Sequence, residues 1–125
     1  MKRVLIDTCA WIDFLRQPQG ELGDQVAALL ADSRASLCGV SQAELLHGAK
    51  GHKEQEQLDF LLANVPCLEI TPSDWLSAGR LLAQLRSKGV QVPLSDALIA
   101  VCAKRHSVPV LTVDQHFQHL NVALA

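Results

Sequence analysis

Short apolar runs alternate with longer amphipathic stretches along most of this chain. Residues 3–6, Arg-Val-Leu-Ile, predict a buried first strand that Asp7 ends. Thr8 then caps a helix through about Arg16, in which Trp11, Phe14 and Leu15 share a face. Pro18 and Gly20 break the chain. Leu22, Val26, Leu29 and Leu30 mark the apolar side of a helix over about 21–32, and residues 35–40 read as a second strand. Ser41 opens a helix that ends near Gly48, and 51–64 turns amphipathic through Leu58, Leu61 and Leu62. Residues 67–70 predict a short strand. Pro72 and Ser73 then start a helix through about Ser87, with Gly89 as its stop signal. The run 94–106 is strongly apolar for a helix, which predicts burial. Residues 110–113 form a fourth strand ended by Asp114; a short turn or helix with Phe117 and Leu120 follows, then a final strand near 122–124.

Short apolar strands that alternate with helices imply a parallel sheet covered on both faces. The 125 residues fit one domain, expected to span 1–125, with no internal repeat or low-complexity segment. In such a sheet, ligands bind beyond the carboxyl ends of the strands. Asp7 and Asp114 each follow a strand. Glu44 falls in the first turn of the helix after the second strand, and Asp96 in the first turn of the apolar helix. Four acids from distant segments thus face one edge. Packed like charges raise one another's pKa unless a cation joins them, so the cluster predicts a metal. All-oxygen ligation favours magnesium, manganese or calcium over zinc. Such ions lower the pKa of bound water and stabilise charge developing on a phosphodiester.

Each acid also has a purely local reading. Asp7 can cap the helix that follows it, Asp96 favours a helix first turn, and Asp114 suits a turn. Ser41-Gln42-Ala43-Glu44 matches a capping box, in which Glu44 would only satisfy a backbone amide. The coincidence of four at one edge is what favours a site.

Composition changes this picture little. The formal charge is −2, so no global basic field points to nucleic acid; with four carboxylates held in one metal site, the remainder carries +2. No apolar stretch reaches the roughly 18 to 20 residues of a membrane span. The N-terminal segment is too short for a signal-peptide core, so a cytoplasmic location is expected. Cys9, Cys38, Cys67 and Cys102 are spread through apolar segments without metal spacing and read as buried free thiols.

The motifs resemble those of a known family. Val-Leu-Ile-Asp-Thr-Cys-Ala-Trp-Ile-Asp-Phe-Leu-Arg (4–16) resembles the opening of VapC-type PIN domains, and Ser-Gln-Ala-Glu-Leu-Leu-His-Gly-Ala (41–49) their second motif. Pro-Leu-Ser-Asp-Ala-Leu-Ile-Ala (93–100) is similar to the third and Leu-Thr-Val-Asp-Gln-His-Phe (111–117) to the fourth. Order, spacing and length agree over essentially the whole chain. The resemblance implies a three-layer α/β/α fold with a mostly parallel, about five-stranded sheet. It implies an endoribonuclease toxin that uses Mg2+, with Mn2+ as a substitute, pairs with a small VapB-type antitoxin and forms a homodimer. Asp7, Glu44, Asp96 and Asp114 match the family's acidic positions, with Thr112 and Thr8 as supporting hydroxyls. Cys9 stands where serine is frequent. His116 stands where many relatives carry another acid, which bears on metal number; it reads either as a phosphate or partner contact or as a plain surface histidine.

Trp11 and Trp75 have the stacking chemistry for RNA bases, but their helical spacing favours the core or a dimer interface. Arg16, Lys50, Lys53, Arg86 and Lys88 are candidate phosphate contacts or a solvated face. His47 and His52 lack a metal-binding spacing. Two other classes compete: a catalytically silent PIN fold that serves as a binding module, and a Mg2+-binding receiver-like signalling domain. The second needs paired acids after the first strand and a lysine after a late strand; Asp7 stands unpaired and 110–114 carries no lysine.

Overall fold

The structure, a computed structural model, describes residues 2–16 and 20–125. Pro18, expected to break the chain, lies outside the described residues. In chain order the elements are β1 (Val4–Ile6), α1 (Thr8–Arg16), α2 (Glu21–Ala31), β2 (Ala35–Cys38), α3 (Gly39–Gly48) and α4 (Gly51–Asn64). Then follow β3 (Cys67–Leu68), α5 (Pro72–Ser87), α6 (Leu94–Arg105), β4 (Val110–Leu111) and a 3-10 turn, Gln115–His119.

The sheet is parallel with order β3-β2-β1-β4. Leu5 pairs with Ser36 on one side and Val110 on the other, which puts β1 at the centre. The sheet has four strands where about five were expected. The expected last strand is reduced to a single parallel bridge, Val110 to Leu124, with Val110 N–H donating to Ala123 O at 2.9 Å.

Strand alternation divides the core into two layers. Leu5, Cys38 and Val110 pack with Ile99, Ala103 and Phe117 on the α5/α6 face. Val4, Ile6, Leu37 and Leu111 pack with Trp11, Val26 and Leu58 on the α1/α2/α4 face. The result is the three-layer α/β/α arrangement. Helix α6 buries Ala97, Leu98, Ile99, Ala100, Cys102 and Ala103, as its apolar composition required.

Several local expectations shift. The hydrogen-bonded part of β3 stops at Leu68, and the carbonyl of Glu69 accepts from Arg105 Nη2 at 2.6 Å. The ladder of β4 stops at Leu111, whose carbonyl accepts from Asp7 N–H at 3.0 Å. Helix α3 begins two residues early, at Gly39, with Cys38 as an N-cap that makes no side-chain bond. Thr8 is the first residue of α1, and the Asp7 carbonyl accepts the first helical bond, from Trp11 N–H at 3.2 Å. All four cysteines are free, but Cys67 is exposed because β3 lies at the sheet edge, and Cys9 is only partly buried. Trp11 is fully buried and stacks edge-on with Phe14, which removes it as an RNA platform. Trp75 is about half exposed and stands outside the core.

A capping box that sequence reading passed over starts α5. Thr71 Oγ1 accepts from Asp74 N–H, and Asp74 Oδ2 accepts from Thr71 N–H at 2.9 Å. Asp74 is also gripped by Arg105 Nε at 2.9 Å, which ties the start of α5 to the end of α6. Burial opposes the Asp74 charge, yet Arg105 and the Thr71 amide hold its pKa below the ordinary value.

Gly89 ends α5 as predicted. Its φ of +80° is left-handed, and Val90 N–H donates back to Leu85 O at 2.9 Å in a Schellman-type closure. A Cβ there would meet no atom within 4 Å, so any penalty is conformational. Gly89→Ala is therefore expected to lower unfolding free energy by about 1–2 kcal/mol, seen as a fall of several degrees in Tm by calorimetry with an unchanged circular dichroism spectrum.

Candidate metal centre at the carboxyl edge of the sheet

Asp7 leaves the end of β1 and is almost wholly buried, at 4% exposure. Its carboxylate is held on both oxygens. Thr8 N–H donates to Oδ1 at 2.8 Å, while Thr112 Oγ1 donates to Oδ2 at 2.7 Å and Cys9 Sγ lies 3.3 Å from the same oxygen as a further donor. The Thr112 hydroxyl also accepts from Asp114 N–H at 3.0 Å. One hydroxyl thus fixes Asp7 relative to the chain that carries Asp114.

Asp96 projects from the first turn of α6, with Pro93 as N-cap, and is 8% exposed. Its Oδ2 is enclosed and accepts no hydrogen bond; His116 Nδ1 lies 3.4 Å away without making one. Burial, followed by the charges of Asp114 and Asp7, pushes the Asp96 pKa up to about 7. Asp114 caps the 3-10 turn. Its Oδ1 accepts from His116 N–H at 2.9 Å and lies 2.7 Å from His116 Nδ1. Burial works against the Asp114 charge, but the His116 amide, the neighbouring Asp96 carboxyl and the imidazole together lower its pKa.

One ligand atom from each of Asp96, Asp114 and His116 lies within 4.8 Å of the other two. Among the described residues this is the single such group of histidine, cysteine and acidic side chains. The group at ligand range thus holds Asp96, Asp114 and His116, while Asp7 adjoins it through the Thr112 hydroxyl and as a charge acting on Asp96. Glu44 stands differently. It is exposed, in the second turn of α3 and not the first, and it makes no capping box. Its Oε1 instead accepts from Thr8 Oγ1 at 2.7 Å, with the buried Ser41 hydroxyl 3.3 Å from the same Thr8 oxygen. Glu44 joins the site through Thr8, the residue whose amide holds Asp7.

Sequence reasoning missed two of these features and gave a third, His116, only a supporting role. The Cys9 thiol on Asp7 needs the geometry of α1. The buried Ser41 was mistaken for a cap. His116 was placed beside the site, although its i+2 spacing from Asp114 suits a side-chain-to-backbone turn in which both side chains face one way. Of the remaining candidates, Arg16 lines a small cleft together with Glu44. Arg16 is paired with Glu54 at 2.9 Å, and His52 with Glu56 at 2.8 Å.

The donor set fits a divalent cation. An enclosed carboxylate oxygen without a partner, beside a second carboxylate and a third acid, is costly unless positive charge joins it. Fold and site together define a doubly covered parallel α/β domain with an acidic pocket, suited to a cation, at its carboxyl edge. The PIN domain family model matches residues 4–123, and the chain belongs to the PIN-domain family. It is 29% identical over 118 residues to Ribonuclease VapC11 of Mycobacterium tuberculosis, covering 91% of this chain and 88% of that protein. Its fold is similar to VapBC2 from Rickettsia felis bound to a DNA fragment from their promoter, at TM-score 0.83 and 19% identity over 98% of this chain and 96% of that one. It is also similar to VapBC-5 from Mycobacterium tuberculosis, a member of the VapBC family of toxin-antitoxin systems, at TM-score 0.70 and 25% identity over 99% and 94%.

The raised Asp96 pKa has a sign that can be tested. In the unfolded chain Asp96 ionises near about 3.9; in the folded, metal-free protein it holds its proton up to about 7. Between these values the folded state binds the extra proton, so rising pH removes stability. In chelator, Asp96→Asn is expected to raise Tm at pH 8 clearly more than at pH 5. An equal effect at both pH values would contradict the buried proton on Asp96.

Proposed function

We propose that this protein is a VapC-type, Mg2+-dependent endoribonuclease whose single PIN domain spans 1–125. The observation that carries the reading is the enclosed, unpartnered Asp96 oxygen facing Asp114 at the carboxyl edge of the sheet. The ribonuclease activity named for VapC11 is the relative's; here the four acidic positions of the shared family motifs are all present.

In this reading Asp7, Asp96 and Asp114 hold the divalent ion. When bound, the ion supplies positive charge that offsets the charge developing on a scissile phosphate. Glu44 takes a proton from the attacking water; Thr8 fixes Oε1, leaving the other carboxylate oxygen for that task. Attack in line leaves 5′-phosphate and 3′-hydroxyl ends. Thr112 acts as a positioning residue through Asp7.

A cognate VapB-type antitoxin is the proposed partner and a homodimer the proposed assembly. Exposed Phe60, Trp75 and Leu76 supply apolar surface of the kind that partners cover. Among the described residues no helix is long and apolar enough to cross a membrane, and a cytoplasmic location goes with the proposal.

Purified total RNA incubated with the protein and Mg2+ is expected to give discrete fragments. Chelator should abolish them, and folded Asp96→Asn should lower the rate by at least about 100-fold, on the scale seen when key transition-state electrostatics are removed. Cleavage retained by that variant would sink the assignment. Thr112→Val is expected to weaken divalent-ion binding by about 10-fold or more, as loss of an orienting partner does; calorimetric titration with Mg2+ at constant pH reads this directly.

A further inference from the structure

Most of the pocket is built of carboxylate oxygens, but one wall carries a nitrogen. His116 Nδ1 lies 2.7 Å from Asp114 Oδ1 and 3.4 Å from Asp96 Oδ2, so the ring edge points between the two carboxylates. The ring is placed there by its own backbone. His116 N–H donates to Asp114 Oδ1, and the next residue, Phe117, is buried in the core. Half of the ring remains exposed, at 46% for the side chain, so solvent can reach it. The enclosed Asp96 Oδ2 lacks a hydrogen-bond partner although Nδ1 is its neighbour. The three donor atoms lie within 4.8 Å of one another, a spacing that one cation can bridge.

We propose that His116 Nδ1 is a direct ligand of the ion held by Asp96 and Asp114, so that this site binds a first-row transition ion such as Mn2+ more tightly than Mg2+. The inference rests on the reading of the cluster as a metal site and concerns which ion that site takes. Magnesium holds hard oxygen donors in near-ideal octahedral geometry and accepts imidazole poorly. Imidazole suits the later divalent ions, whose affinity for nitrogen rises along the series from manganese. Binding needs no backbone change. With the ring neutral and its proton on Nε2, the Nδ1 lone pair is free to meet the metal.

The test uses the whole protein after chelation, titrated calorimetrically with Mg2+ and with Mn2+, alongside His116→Ala, His116→Asp and Asp96→Asn. Circular dichroism checks that each variant is folded. The wild type is expected to bind Mn2+ at least about 10-fold more tightly than Mg2+. His116→Ala should weaken Mn2+ by about 10-fold while leaving Mg2+ within about 3-fold, and His116→Asp should narrow the preference for manganese. Pulsed electron paramagnetic resonance of the Mn2+ complex should show nitrogen coupling from one imidazole, absent in both His116 variants.

Tighter binding of both ions by His116→Ala would overturn the proposal, because it would make the ring a competing cation. Mn2+ bound without nitrogen coupling would also overturn it. Either result leaves the metal site itself intact, provided Asp96→Asn loses both ions. A wild type that binds neither ion would instead remove the metal reading on which the inference stands.

Discussion

Asp96 and Asp114 bring two carboxylates together where water is largely shut out from one of them. Burial raises the cost of charge on Asp96, and the neighbouring acids raise it further. A proton relieves this in the metal-free protein, and a cation relieves it more fully. Much of the molecule serves to hold the pair in that state. Helix α6 is buried along most of its length, so its first turn cannot swing away to relax the repulsion. At its far end, Arg105 binds Asp74 and the carbonyl of Glu69, locking the helix against α5 and the strand edge.

The centre of the sheet is tied to the same problem. β1 is flanked by β2 and β4, and its end delivers Asp7 beside the pair. The Asp7 carboxylate then recruits an amide, a hydroxyl and a thiol, each from a residue that its own strand ends place nearby. Thr112 gives up strand pairing for this role, since the β4 ladder stops one residue earlier. The hydrogen bonds that a longer strand would have made are exchanged for orientation of the site.

Most of the architecture was legible in the sequence because it depends on periodicity. The α6 segment is apolar along most of its length, and the strands fall in short, mainly apolar runs between helices, so burial and parallel pairing followed. Asp7, Asp96 and Asp114 were legible because strand and helix ends define the ligand edge. What escaped depends on side-chain direction and strand competition. Ser41-x-x-Glu44 fits a capping box on paper, but Gly39 and Val40 are already helical, which buries Ser41 and turns Glu44 toward Thr8. Thr71-x-x-Asp74 is the true box and was overlooked. The final strand shrank to one bridge because its hydrogen bonds run only to Val110. Cys67 looked buried by its neighbours in sequence and is exposed by its place at the sheet edge.

The site has walls of unequal stiffness. Asp7 and Asp96 sit on a central strand end and a buried helix, and any change of backbone there would disturb both core layers. His116 sits on a five-residue 3-10 turn at the surface, anchored to the core through Phe117 and the capping Leu120. Mutation at that turn can exchange nitrogen for oxygen without reaching the sheet. A substitution at position 116 would therefore change the donor atoms of this wall at little cost to folding, whereas the buried acids stay tied to the core that carries them.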